Sequence, residues 1–459
     1  MNRTRPILLL TLLFLTLSLP LRLHAAAPEN TTSLSLDDAV RIGLDTSRNL
    51  EIARLDRDMA GQKIRQTWSE VLPQISTSFT YTRTLKPSVL LLPPNQGFPS
   101  TLETSSDNAG HATIDLHQPL FNASAFAGIK AASIVRKMSE EAYKSAEAAV
   151  VADIKLSYFD ALIAKQQLTL IEQSIARWEQ SRKDTRAMFR QGVAADIDTL
   201  KAFLSVENLR PEQIQAESRV AITLTKLKNA MGISGESAVG LSGKLELPRV
   251  SYPTDINEAY REALESRHDL RQLDFQIQAE SEKISSARAE RFPVLSAYGK
   301  LESQTAFNDG VKPSESRWPA SSSVGLQFTM PLFTGYRISS QVAQARIGQM
   351  QTRTRLEDLK ANIRAELEVR IMNVRESQKR IEVQSKTISV AERSYNISLL
   401  RFKEGIGSRL ELTDAELQLN KAKTNYLQAV YDYLAATTLL DKALGRRVAK
   451  YTTPAASKG

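Results

Sequence analysis

The chain contains no cysteine. That excludes disulfides and any lipid anchor attached through an N-terminal cysteine, so the fold must be held by burial and assembly. Only four histidines are present. His24 lies in the leader described below, His268 falls in a helical pattern, and His111 and His117 share the polar side of a strand. Without cysteines or clustered acids they form no metal-ligand pattern. No G-x-S-x-G or other nucleophile context accompanies the many serines. No catalytic residue, cofactor site or metal site is therefore assigned, and the chain is not read as an enzyme. Charge of one sign is not concentrated either. The 60 Lys and Arg are interleaved with 51 Asp and Glu, a formal +9, which argues against nucleic-acid binding. After the leader no run of about 18 apolar residues occurs, so no membrane-spanning helix is expected.

What is present begins with an export signal. Arg3 and Arg5 precede the apolar run Ile7 to Leu19, and small residues follow at Ala25 to Ala27. Basic, apolar and small-residue segments in that order predict a signal peptide over 1–27, because the run is short of the roughly 20 residues a span needs.

The remainder is a duplication. LSLDDAVRIGLDTSRNLEIARLD (Leu34 to Asp56) resembles TDINEAYREALESRHDLRQLDFQ (Thr254 to Gln276), and SEVLPQIS (Ser69 to Ser76) resembles AERFPVLS (Ala289 to Ser296). The pair Pro119-Leu120-Phe121 and Pro331-Leu332-Phe333 follows, then FRQGVAADIDTL (Phe189 to Leu200) with FKEGIGSRLELT (Phe402 to Thr413). The series closes with AMG at Gly232 and ALG at Gly445. A unit of about 200 residues is far longer than a solenoid repeat. The expected repeats are 28–232 and 233–459, the second including a short tail over 446–459.

Each half reads as helix, strand, long loop, strand, very long helix, sharp turn, helix: mainly α with a small β part. Ser35 and Asp38 give the first helix a capping-box-like start, and it is expected to run to about Val71, stopping before Pro73. Period-two alternation predicts strands at about 74–84, 111–119, 294–303 and 322–331. Ile75, Thr77, Phe79 and Tyr81 oppose Ser76, Ser78, Thr80 and Thr82; Val324, Leu326, Phe328 and Met330 oppose Ser323, Gly325, Gln327 and Thr329. The strand after Pro293 alternates less cleanly. Long helices are expected at about 122–190 and 336–404, where no proline occurs and the only glycines are Gly128 and Gly348. At 1.5 Å per residue each would extend about 100 Å. Their apolar residues recur at three- and four-residue steps, as in Ile371, Val374, Ile381 and Ile388, which suits coiled-coil packing.

Strands with one apolar and one polar face fit a transmembrane β-barrel. Four strands cannot close one, and open edges are not tolerated in hydrocarbon, so the chain must oligomerise; three copies give twelve strands, enough for a channel. The linkers Leu85 to Asn108 and Ser303 to Ser322, rich in Pro, Ser and Gly, suit extracellular loops. A trimeric coiled-coil adhesin or periplasmic spacer is the competing class, but a stalk needs no repeated strand pairs. A periplasmic adaptor would need flanking globular β domains, for which no sequence signal is found.

The ordered set of the export signal, LSLDDAVRIGL, the two PLF handovers, the glycine-centred turns and the closing ALG resembles the TolC-like outer-membrane efflux protein family, in its unlipidated branch. The resemblance spans roughly Leu34 to Gly445. It implies a homotrimer with a shared 12-stranded barrel in outer-membrane lipid, four strands per chain, continued by an α-helical barrel across the periplasm. It implies an exit duct of a tripartite efflux or type I secretion system, working with a periplasmic adaptor and an inner-membrane transporter.

The turns at Gly192 and Gly405 draw most attention. Gly permits the positive φ that ends a helix. Acids follow at Asp196, Asp198, Glu411 and Asp414. Such acids favour a helix N-terminus, but in three symmetric copies lumen-facing acids become rings that attract cations. The resemblance implies a pore constriction at Glu411, Asp414, Asp198 and Phe402. It also implies adaptor docking at the turn residues Gly192, Val193, Gly405 and Ile406. The chain departs from the family in carrying Gly407 where a gate arginine is expected, with Arg409 two residues on, and Phe402 lacks the hydroxyl of a tyrosine.

Overall fold

The computed structural model describes residues 32–91, 101–233, 239–243, 245, 247, 252–253 and 255–446. The expected signal peptide and the tail beyond Arg446 lie outside the described residues. The first half runs β1 (Thr32–Leu34), α1 (Leu36–Thr46), α2 (Arg48–Trp68), a 3-10 turn (Ser69–Val71), β2 (Gln74–Arg83), a small hairpin β3 (Val89–Leu91) and β4 (Thr101–Glu103), β5 (Asn108–Phe121), α3 (Ala123–Arg190), α4 (Asp196–Glu207) and α5 (Arg210–Met231). The second runs β6 (Val239–Leu241), α6 (Ile256–Ser266), α7 (His268–Ala289), β7 (Val294–Phe307), β8 (Ala320–Thr329), α8 (Arg337–Lys403) and α9 (Arg409–Leu444).

The first helix is not continuous. Ser35 caps it as expected, accepting from the Asp38 amide at 3.2 Å, but the chain turns extended at Ser47 (φ −64, ψ 122) before α2 begins. Arg267 makes the same break between α6 and α7 (φ −69, ψ 127). The repeated AMG and ALG motifs meet these two breaks. Gly232 and Gly445 end α5 and α9 with φ of 74 and 69. Each presses on a break: a Cβ on Gly232 would lie 2.3 Å from the Thr46 carbonyl oxygen, and one on Gly445 2.9 Å from the Arg267 amide. The halves also differ. The helix after the first turn restarts at Arg210–Pro211, where proline has no amide to give, whereas α9 runs unbroken for 36 residues.

The long helices span 68 and 67 residues. Each half buries its own core at mid-length. One joins Val40, Ile154, Tyr158, Leu162, Leu227 and Met231; the other joins Ala263, Ile363, Leu367, Val430, Leu440 and Leu444. Phe159 packs against both. A leucine such as Leu367, fully enclosed, contributes about 1.5–3 kcal/mol. A parallel contact of β1 with β6, three residue pairs long and not signalled by the sequence, closes the first core.

At one end of the helices β2, β5, β7 and β8 form an antiparallel sheet in that order. The two handovers to helix differ in detail. β5 runs through Pro119 with an irregularity before Phe121, and Asn122 caps α3 by accepting from the amides of Ser124 and Ala125 at 3.1 and 3.2 Å. β8 stops at Thr329, and Gly335 and Tyr336 turn left-handed (φ 56 and 65) to start α8.

Candidate pore wall and periplasmic tip

Register builds the wall. Ile75 lies opposite Leu116 and Phe79 opposite Ala112. Leu116 lies opposite Gly299 and Ile114 opposite Leu301; Leu326 lies opposite Ala297 and Phe328 opposite Leu295. Directly opposed residues share a face, so the four apolar faces merge into one exposed apolar surface. The weak alternation of β7 is explained by its small residues there, Ala297 and Gly299. The other face is mainly polar, with rows such as Ser76–Asp115–Lys300–Ser323 and Ser78–Thr113–Glu302–Ser321.

Both faces are finished by aromatic rings laid over glycines. On the apolar side Trp318 covers Gly110, where a Cβ would meet its ring at 2.6 Å, and stacks on Phe79 with centroids 6.4 Å apart. On the polar side Tyr298 covers Gly325, its Oη 2.6 Å from where a Cβ would stand. Phe79, Tyr81 and Trp318 mark the outer end of the apolar band and exposed Phe121, Phe333 and Tyr336 its inner end, the arrangement of two aromatic girdles. Arg83 and Asp309 form an ion pair at the outer rim, with Nη2 2.6 Å from Oδ2.

At the opposite end of the helices lie the two turns, built alike. Gly192 and Gly405 have φ of 75 and 74. The Val193 amide donates to the Met188 carbonyl at 2.9 Å and the Ile406 amide to the Arg401 carbonyl at 3.1 Å. Val193 and Ile406 are 65% and 73% exposed. Glu411 and Asp414 are both exposed in the first turns of α9. The Glu411 amide takes its cap from Ser408 Oγ at 3.1 Å, and its carboxylate lies 3.9 Å from Arg401. Asp198 is half-buried and reaches back toward the Ala195 amide at 3.4 Å; Asp196 is exposed. Phe402, at 8% exposure, is packed inside its own subunit.

The missing arginine at position 407 has a steric reason. A Cβ there would come within 2.9 Å of the Arg401 Cβ and 3.0 Å of the Phe402 amide. Arg409 does not replace it. It is 7% exposed, donates to Thr185 Oγ1 at 2.9 Å and lies 5.7 Å from the Trp178 ring centroid. Burial holds its pKa below the usual arginine value, partly offset by Asp198. Deeper in the same α3–α9 seam, Glu416 accepts from Ser174 Oγ at 3.0 Å and from Arg177 Nε at 2.9 Å, and Asn420 closes the group by donating to Ser174 Oγ at 2.8 Å. This cluster lies outside the motifs legible in the sequence. The available signal was an acid and a base inside an apolar stripe, Arg409 and Glu416 among Leu412, Ala415, Leu419 and Ala422.

Comparison with known proteins agrees with this architecture. Residues 41–233 and 259–446 match the family described as outer membrane efflux protein. The chain is 21% identical over 401 residues to outer membrane protein TolC of Escherichia coli, covering 85% of this chain and 78% of that one. It is 22% identical to the alkaline protease secretion protein AprF of Pseudomonas aeruginosa, over 71% of this chain and 67% of that one. Its fold is similar to the Campylobacter jejuni CmeC outer membrane channel, with a TM-score of 0.73 at 18% identity, covering 89% of this chain and 85% of that one.

Proposed function

Since the chain belongs to the outer membrane efflux protein family, we propose the following account of how its residues serve as an outer-membrane exit duct of a tripartite efflux or type I secretion system. The observation that carries it is the mainly apolar face shared by β2, β5, β7 and β8, handed over at its inner end to two helices long enough to cross the periplasm. β2 and β8 each have one paired side. In hydrocarbon those edges need partners, and three copies supply them as a twelve-stranded barrel.

The helices carry a matching need. Val369, Met372, Val383, Val390, Ile397 and Leu400 are exposed along α8 at heptad steps, away from the buried seam of Leu367, Ile371, Val374 and Ile381. Ile197, Leu200, Leu204 and Ile214 are exposed along α4 and α5. Two uncovered stripes on opposite flanks of one chain are met by neighbouring copies in a closed ring.

At the tip, Glu411 and Asp414 form acid rings around the narrowest passage, Asp198 contributes its charge from the first turn, and Phe402 supports the constriction by packing. Val193 and Ile406, held out by Gly192 and Gly405, meet the periplasmic adaptor, which connects the duct to an inner-membrane transporter. Crosslinking and native mass measurement of detergent-solubilised outer membranes should give a trimer, and planar bilayers should give unitary conductance. A stable soluble monomer without conductance overturns the duct.

A further inference from the structure

All charge on the polar face of the sheet sits on its two central strands. β2 presents Gln74, Ser76, Ser78, Thr80 and Thr82, and β8 presents Ser321, Ser323, Gly325, Gln327 and Thr329. Between them β5 presents His111, Asp115 and His117, and β7 presents Tyr298, Lys300 and Glu302. Asp107 stands at the outer rim, where its Oδ2 accepts from the Asp309 amide at 3.0 Å; Arg83 is already engaged with Asp309.

The charged groups are ordered along the strands. Asp115 is directly opposite Lys300, whose Nζ lies 2.5 Å from Glu302 Oε2, and Ser321 donates to Glu302 Oε1 at 3.2 Å. His117 is opposite Tyr298, and His111, opposite Gln304, is diagonal to Glu302. The histidines thus bracket an acid–base centre. Six residues of extended strand separate them by about 20 Å, too far to share a metal ion.

We infer that this ribbon is a second, pH-dependent selectivity station in the outer part of the duct, with His111 and His117 setting its charge. The inference rests on the barrel reading above. With both histidines neutral, Asp107, Asp115 and Glu302 against Lys300 leave −2 per subunit. Two protonated histidines bring that to 0, so three subunits pass from −6 to 0. Histidine is the side chain that gains charge between about pH 8 and pH 5, and a ring of fixed charge sets the counter-ion preference of a pore. The permeant class is small cations, admitted from the outside at neutral pH and less so in acid. The hydroxyl-lined flanks are insensitive to this change.

The test is reversal potential in planar bilayers under a potassium chloride gradient, acidifying only the chamber that faces the barrel. It is made in a Glu411→Ala/Asp414→Ala background so that the tip does not mask the barrel. The cation-to-anion permeability ratio should fall about threefold or more between pH 8 and pH 5. It should fall little with His111→Gln/His117→Gln, checked for trimer assembly. Lys300→Gln should raise the ratio at both pH values. Conducting channels whose ratio shifts equally with and without the histidines, or shows no shift, overturn the station and leave the duct standing. Absence of conductance in every variant overturns the duct itself.

Discussion

Arg177 holds Glu416 across the seam between α3 and α9, its Nε 2.9 and 3.1 Å from the two carboxylate oxygens. Glu416 is 2% exposed, and its remaining acceptor capacity goes to Ser174 and Asn420. The pair joins the first repeat to the second just above the tip. A buried charge whose partner is removed is strongly destabilising, whereas replacing both partners by apolar groups is often neutral. Arg177→Met should therefore cost about 3–5 kcal/mol per subunit, and the double variant Arg177→Met/Glu416→Leu should recover most of it. Thermal melting of the detergent-solubilised protein, followed by circular dichroism, separates the two. Equal losses in both variants would mean that the seam depends on packing rather than on charge pairing.

The sheet has an apolar and a polar side, and a charge should be tolerated on only one. Leu326 is on the apolar face opposite Ala297, and its neighbour Gln327 is on the polar face opposite Ser296. An arginine at mid-bilayer depth on a barrel's outer face costs about 2–4 kcal/mol. Leu326→Arg should sharply reduce the trimer recovered in outer membranes, while Gln327→Arg should assemble close to wild-type yield. Membrane fractionation with trimer quantification checks this, and comparable assembly of the two variants would reverse the assignment of faces.

Much of this architecture is legible in the sequence, for physical reasons that differ by element. Strands in contact with lipid on one side must alternate, so β2 and β8 declare themselves through Phe79 and Phe328. β7 hides because Ala297 and Gly299 keep its outer side small. A 68-residue helix announces itself by the lack of proline. The breaks at Ser47 and Arg267 do not, since what packs against them is a distant glycine, Gly232 or Gly445, at the end of another helix. At the tip, Gly192 and Gly405 are visible because a positive φ favours one residue type. The destination of Arg409 is not visible, since only the packed structure shows that Gly407 lacks space for a side chain and that Trp178 and Thr185 offer a berth.

Acid should loosen the contact of α3 with α7. Glu141 is buried and accepts from Lys144 Nζ at 2.8 Å, and His268 Nδ1 lies 2.7 Å away. Burial pushes the Glu141 carboxyl up, but the bonds from Lys144 and His268 outweigh it and hold the pKa below the usual carboxylate value. A depressed carboxylate contributes stability that is present above the ordinary carboxylate range and lost as pH falls through the lowered value. Charge-assisted hydrogen bonds are each worth about 1.5–3 kcal/mol. Glu141→Gln should lower stability by about that amount at neutral pH and converge with wild type in strong acid. Denaturant melts across the acid range check it. Parallel curves for the two proteins would show that the charge of Glu141 does not stabilise the fold.

Glu411 and Asp414 offer the sharpest test of the tip. Both are exposed within the first two turns of α9, three residues apart and therefore on neighbouring positions of one face. In a threefold assembly each becomes a ring. Like charges crowded around a pore gain most from a shared counter-ion, so the rings should favour cations and bind polyvalent ones. Replacing both with alanine should weaken cation selectivity and relieve block by a trivalent cation. The fold should be little affected, because acids at a helix start contribute about 0.3–1 kcal/mol each. The Glu411 contact with Arg401, at 3.9 Å between two exposed side chains, adds little. Asp196→Ala provides the control: that acid is also exposed at a helix start but lies outside the proposed constriction, and it should leave block nearly unchanged. Reversal potential and trivalent block, measured in bilayers on wild type, the double variant and the control, decide the matter. If the double variant conducts with unchanged selectivity and block, these carboxylates serve only the start of α9, and the narrow passage is lined elsewhere.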